Sequence, residues 1–399
     1  MKRFKNTSFK HIVAVSFCAI VFICGLLTLS INFREVFGGL VRGYIKSHRD
    51  SSVTERLTNS LSTFDTRMNE YFILHDVALN SYGGIQKVMD KHLIDDVNPN
   101  YNVVKLKNDY LTFKGNDKEN GANGNGLKNY LIDLKKTCDN NGSAMLYVKK
   151  LAKGTQDWDL LPDYYPYRYS SDYTKAEADL EEAGIEVLDL DEKVKEQGID
   201  KYSLFYKTDH HWTTTAGLWA CNQIANKLNS DYGFNIDTEK LNIDNYNIEH
   251  HSRSFLGTQG TRTGASYTEP DDFDFIYPKF PTNIDYDVRN KNIHLSGSFL
   301  DTILLDKTYE EGYHAYMPST YDLTTIKNKD PNNGKYAVFV VDSFGSVVAP
   351  FLSQTFERMD CIDLRYFSEG LGEYIQQNKP DIVIYMVNST DEVLHDFVD

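Results

Sequence analysis

Asp209, His210, His211 and Trp212 stand in a row within KTDHHWTTTAG, with three threonines directly behind them. An acid beside two imidazoles can bind a metal, supply the base and orienting carboxylate of a nucleophilic site, or form a satisfied polar cluster with no chemistry. Along an extended segment residues i and i+2 share a side, so Asp209 is expected to reach His211 while His210 points the other way. The carboxylate would then fix the imidazole tautomer and stabilise its charged form during reaction. The helix expected behind His211 presents its positive end, which favours a neutral, proton-accepting ring. His210 keeps a structural or substrate-side role. A metal would need a further ligand, such as Glu249, His250 or His251 of EHHS. Adjacent histidines diverge on an extended chain, and there is no H-E-x-x-H helix, so no metal or other cofactor is expected.

A hydroxyl that such a base would serve is Ser343 in VVDSFGS, where a buried apolar run meets a glycine-bearing turn. The mechanics resemble a nucleophile elbow, with Val341 where the first glycine of G-x-S-x-G would stand. The plain alternative is that Asp342, Ser343 or Ser346 caps a helix. In an open parallel sheet ligands gather at the carboxyl ends of strands. Arg365 follows MDCIDL and Asn388 follows DIVIYMV, so both are expected at that edge. Asn388 could join the Ser343 and Gly345 backbone N–H groups in binding an oxyanion. Arg365 could hold a substrate oxygen or form an ordinary ion pair. FLGTQGTRTG offers glycines and Arg262, suited either to a loop touching substrate or to an ordinary turn.

The elements that must position these groups follow from the pattern of the chain. AMLYVKKL, IEVLDL, SLFYKT, YAVFVV, MDCIDL and DIVIYMV read as strands, separated by helical segments that include residues 170–182 and TTTAGLWACNQIANKL. Strands alternating with helices predict an α/β fold, a parallel sheet with helices on both faces. Residues 126–232 and 334–399 are assigned to this domain, and 233–333 to a β- and loop-rich insertion. The Gly/Asn-rich stretch at 114–126 reads as a surface loop, and residues 33–125 as a membrane-proximal stalk.

Residues 12–31, IVAVSFCAIVFICGLLTLSI, carry no charge and match the length of a bilayer-crossing helix. With no small-residue cleavage site behind them, they predict an uncleaved transmembrane signal anchor. Residues 1–11 are assigned to the cytoplasm and 33–399 to the outside, although basic residues flank both ends of the span. The formal charge of −15 argues against a nucleic-acid partner. Three cysteines beyond the span, at wide spacing, give neither a disulfide framework nor a zinc set.

TDHHW, SFLGTQGTRTG, VVDSFGS and IDLRYF, in this order, resemble the DHHW-motif proteins of Gram-positive bacteria. These are similar to the alginate O-acetylation proteins and to the wider SGNH-hydrolase-like group. The resemblance implies a triad of Asp209, His211 and Ser343 and an acyl-handling activity on an extracellular glycan of the cell envelope. It also implies a membrane acyltransferase as partner, supplying the acyl group. Three functions are therefore carried forward: a polysaccharide O-acetyltransferase, an esterase with the same triad, and a non-catalytic glycan-binding scaffold. The last would lack a Ser–His contact.

Overall fold

The computed structural model describes residues 2–46, 52–114, 124–153, 158–163, 165, 180–289, 291–304, 312–316, 321–331 and 333–387. The chain forms two compact units, Met1–Lys91 with Thr263–Tyr267, and His92–Arg262 with Thr268–Asp399.

The first unit is helical, with α1 (Lys2–Ile31), α2 (Phe33–Lys46), α3 (Val53–Glu70) and α4 (His75–Val88). Within α1, His11–Ile31 is long and apolar enough to cross a membrane. Its apolar side chains stand largely exposed, Val15, Phe17 and Phe22 among them, which suits lipid better than water.

The second unit is built on an eight-stranded sheet. Its strands are β4 (Ala144–Lys149), β5 (Glu186–Asp189), β8 (Ile284–Val288), β9 (Ile293–Gly297), β10 (Leu323–Asn328), β11 (Tyr336–Val341), β12 (Arg358–Ile362) and β13 (Ile382–Met386). Their spatial order is β5-β4-β13-β11-β12-β10-β8-β9. The first five are parallel and the last three antiparallel. A wholly parallel sheet was expected; the sheet is mixed. The central strands are buried on both faces. Along β11, Ala337, Phe339 and Val341 enter one core while Val338 and Val340 enter the other. On the first face lies α7 (Thr214–Tyr232), capped by Thr213, whose Oγ1 accepts from the Ala216 N–H at 3.1 Å. The second face is covered by α5 (Gly124–Asn141) and α11 (Leu371–Asn378). The intervening helix α6 is Leu190–Glu196.

Three expectations change here. The β- and loop-rich insertion expected over 233–333 also supplies β8, β9 and β10 (the last from Leu323 on), which extend the main sheet beyond β12. Ile284, Tyr286 and Val288 alternate inward and need that sheet to cover them. A second pair, β6 (Tyr246–Phe255) and β7 (Asp271–Pro278), forms a separate antiparallel ribbon. Of the region 33–125 expected as a stalk, β1 (Leu93–Ile94), β2 (Val103–Lys105) and β3 (Leu111–Phe113) fall in the second unit. SLFYKT is not a strand: Lys201–Leu204 is a 3₁₀ turn, capped by Asp200 accepting from the Tyr202 N–H, and only Phe205 bridges to Trp212. The helix expected over 170–182 lies outside the described residues up to 179, as does most of the loop at 114–126.

Candidate active site

Asp209 sits in a turn rather than on a strand. Its Oδ1 accepts from the His211 backbone N–H at 2.8 Å, which curls the chain and returns the His211 ring to the same carboxylate. His211 Nδ1 then donates to Oδ1 at 2.6 Å. The other oxygen, Oδ2, accepts from the Thr258 N–H at 2.5 Å and the Thr258 hydroxyl at 2.9 Å. Thr258 opens the short helix α8 (Thr258–Thr263). Gly257 lies so close that a Cβ there would stand 2.2 Å from Asp209 Cβ. The turn is pinned again by Asp271 at the start of β7. Asp271 accepts from the Lys207 N–H at 2.7 Å and from the Thr208 N–H and hydroxyl at 2.8 and 2.6 Å. The region beyond residue 233 thus supplies the cradle for the acid.

Ser343 follows β11 at the sheet edge. His211 Nε2 lies 2.8 Å from its Oγ, completing an unbroken line from Asp209 through His211 to Ser343. A 3₁₀ turn over Ser343–Val347 carries the serine, and α10 (Ala349–Leu352) follows. Gly345 is required by closeness: a Cβ there would meet Val341 Cβ at 2.6 Å. Asp342 caps the turn, accepting from the Phe344 N–H at 3.0 Å, and pairs through its other oxygen with the buried Lys150. The Phe344 carbonyl accepts from Trp212 Nε1 at 3.2 Å and from the Tyr313 hydroxyl at 3.1 Å. Trp212 is fully buried, so the tryptophan of the motif ties the histidine turn to the serine turn.

Electrostatics sharpen these roles. Burial pushes the Asp209 carboxyl up, but the hydrogen bond and charge of His211, aided by His210 and the Thr258 N–H, outweigh it and hold it well below the usual range. Asp209 is therefore a carboxylate at neutral pH, which keeps a proton on His211 Nδ1 and leaves Nε2 to accept from Ser343. Burial and the neighbouring His211 drive His210 down to about 3, so it stays neutral. Burial also lowers Lys153 to about 7, against the pull of Asp209 and Asp271; its Nζ donates to the Tyr206 carbonyl at 2.9 Å.

The remaining expected residues fall as follows. His210 does not diverge from His211. The turn replaces the extended segment, and the two rings lie 3.8 Å apart, with Tyr313 stacked on the His211 ring at 4.4 Å. Gly345 gives its N–H to the Asp342 carbonyl at 2.9 Å, so the turn itself holds the donor that was expected at an oxyanion. Arg365 forks onto Asp363 at 3.0 and 2.6 Å, the ordinary ion-pair alternative. Arg262 pairs with Asp96 at 2.8 Å and lies over the Tyr101 ring at 3.9 Å, which anchors it rather than leaving it mobile. Asn388 lies outside the described residues. Asp209, His210 and His211 hold ligand-type atoms within 4.8 Å of one another. Yet both Asp209 oxygens already accept two hydrogen bonds each, and the His211 nitrogens face Asp209 and Ser343. A metal would have to break that line.

Thr258, Asp271, Tyr313 and Lys150 were not foreseen from the sequence, Trp212 was seen without a role, and Asp342 caps its turn as the plain alternative had it. The signal for Thr258 was present, since a threonine flanked by glycines in LGTQG is a helix-capping pattern with room for close approach. What it would approach was not readable.

Residues 110–276 match the family model described as SGNH hydrolase-like domain, acetyltransferase AlgX. The matched segment contains Asp209, His211, Thr258 and Asp271 and ends before Ser343. No curated protein matches the sequence. Among solved structures, a DHHW family protein from Eubacterium siraeum superposes with a TM-score of 0.56 at 18% identity, covering 76% of this chain and 95% of that one. Bacillus cereus PatB1 superposes with a TM-score of 0.57 at 17% identity, covering 75% and 96%. A structure of PatB1 with a sulfonyl adduct superposes with a TM-score of 0.58 at 16% identity, covering 73% and 95%. The chain is thus similar to the DHHW-motif and alginate acetylation proteins, and its α/β unit has the SGNH-hydrolase-like fold.

Proposed function

We propose that this protein is a membrane-anchored O-acetyltransferase whose α/β unit works outside the cell on a surface or secreted polysaccharide. The observation that carries this reading is the contiguous contact of Asp209, His211 and Ser343 at the carboxyl edge of the sheet. The acetyl class comes from the AlgX description of the matched family model. The anchor reading comes from the apolar His11–Ile31 helix.

In this mechanism Ser343 Oγ attacks the acyl carbonyl while His211 Nε2 takes its proton. Asp209 balances the imidazolium and holds its orientation. The tetrahedral intermediate collapses as His211 returns the proton to the leaving group, and an acyl-serine remains. A sugar hydroxyl then attacks that ester, giving its proton to His211, and Ser343 is restored by the reverse transfer. The developing oxyanion is assigned to the Ser343 backbone N–H and to Asn388. Met386 pairs with Val341, and Asn388 and Ser343 each come two residues later in the chain. A membrane-bound acyltransferase would deliver the acyl group.

The close Ser343–His211 contact argues against a non-catalytic scaffold. Transfer and hydrolysis are separated by turnover of a chromogenic acetyl ester with and without an acceptor oligosaccharide. Acetylated sugar from the wild type and none from Ser343→Ala is the expected result. Release of free acetate alone, undiminished by acceptor, would make the protein an esterase. Full turnover by Ser343→Ala would refute the mechanism.

A further inference from the structure

Thr28 lies inside the apolar stretch His11–Ile31, yet protein buries its side chain completely. The cover is the connection between α3 and α4. The Ile73 N–H donates to Thr28 Oγ1 at 3.1 Å, and Thr28 Oγ1 donates to the Cys24 carbonyl at 2.8 Å. One turn later, Asn32 Nδ2 donates to the Tyr71 carbonyl at 3.1 Å. Met68 Cε comes within 3.7 Å of where a Cβ on Gly25 would stand. The α2–α3 hairpin therefore leaves the end of the apolar stretch and returns to it. The 14 residues of α2 carry the chain about 21 Å away at 1.5 Å per residue. The 18 residues of α3 bring it back. Thr28 stands three residues short of Ile31, so Ile73 is held roughly 4.5 Å inside the end of the stretch.

We propose that the Tyr71–Leu74 turn, with Val77 in the first turn of α4, inserts into the bilayer boundary, so that the protein meets lipid at this turn as well as along its span. This rests on reading His11–Ile31 as membrane-spanning. The side chains suit lipid, with Ile73 43%, Leu74 38% and Val77 62% exposed beside Leu27 and Ile31 of α1 at 45% and 65%. All five are apolar, and the turn that carries three of them is tied to α1 at Thr28 and Asn32. The backbone suits lipid as well, which demands that polar groups be satisfied internally. Tyr71 N–H donates to the Arg67 carbonyl, His75 N–H to the Phe72 carbonyl and Ala78 N–H to the Leu74 carbonyl. Asp76, 91% exposed at its side chain and paired with His75, confines the insertion to the boundary layer and keeps it out of the hydrocarbon centre.

The test uses the full chain in phosphatidylcholine nanodiscs, with Cys18→Ser and Cys24→Ser. The buried Cys138, Cys221 and Cys361 remain. Nitroxide labels are placed singly through Ile20→Cys, Ile73→Cys, Val77→Cys and Val53→Cys, and their access to oxygen and to an aqueous nickel chelate is measured. Positions 20, 73 and 77 should lose chelate access and keep oxygen access, while position 53, at the far end of the hairpin, stays open to the chelate. Chelate access at 73 and 77 with 20 shielded would overturn the proposal and leave the span intact. Chelate access at 20 would overturn the span reading and the proposal with it. Loss of both probes at 73 and 77 would mean that protein covers the turn, which overturns the lipid assignment.

Discussion

Replacing Gly257 by alanine places a methyl group where none fits. The new Cβ would lie 2.2 Å from Asp209 Cβ, 2.6 Å from Asp209 Oδ2 and 2.7 Å from Asp209 Cα. Carbon atoms rest at about 3.5–4.0 Å, so Asp209 and the Gly257 backbone must part by roughly 1.3–1.8 Å. That movement pulls the carboxylate from either His211 or Thr258, since it now holds both. Misplacement by about 1 Å costs on the order of 10²-fold in rate, while overpacking costs about 1–3 kcal/mol of stability. The two effects are read separately: the denaturation midpoint gives the second, and kcat for a chromogenic acetyl ester, well below the unfolding transition, gives the first. The expected result is a folded protein with kcat reduced about 10²-fold and KM little changed. Gly260→Ala is the control. Its Cβ would meet Leu256 Cδ1 at 2.5 Å, the end of a flexible side chain, and Thr208 Cβ at 2.8 Å. It should lose stability with a smaller loss of kcat. A folded Gly257→Ala variant with wild-type kcat would refute the claim that this glycine seats the acid.

His210→Ala removes a neutral ring packed at a tilt against the base and should lower kcat roughly two- to tenfold, the worth of an aromatic contact of about 0.5–1.5 kcal/mol; His210→Phe should recover most of it. Lys153 falls from its ordinary 10.5 to about 7 through burial, so between these values the unfolded chain holds a proton that the folded chain has released. Stability should therefore rise with pH across that window, and thermal melting at pH 7 and 9 should show the rise shrinking in Lys153→Met. Lys150→Met removes the buried cation paired with Asp342 and should lower stability in chemical denaturation, by at most about 3–5 kcal/mol because the Phe344 N–H still donates to the carboxylate.

The parts of this structure legible in the sequence are those whose pattern is local. YAVFVV spans β11 residue for residue, because a strand covered on both faces must be apolar throughout. Thr213 caps α7 as its hydroxyl chemistry requires. The spacing of Asp209 and His211 pointed to their contact, but for an incomplete reason. An extended chain would have separated His210 from His211. The observed turn, set by the Asp209 carboxylate accepting from the His211 N–H, keeps them together. SLFYKT misled in the same way, since its apolar run fits a strand but Asp200 starts a turn. The pairing of β10 with β12 joins distant segments, and nothing in either names the other. The glycines of LGTQG likewise acquire meaning only once Asp209 is seen against them.

The central claim is that Ser343 carries the acyl group. The direct measurement is rapid quenching of the protein with an activated acetyl ester, followed by peptide mass spectrometry. One acetyl increment should appear on the peptide containing Ser343, disappear when acceptor oligosaccharide is added, and be absent from Ser343→Ala and His211→Ala. An acetyl group on another residue, or full acceptor acetylation by Ser343→Ala, would contradict it.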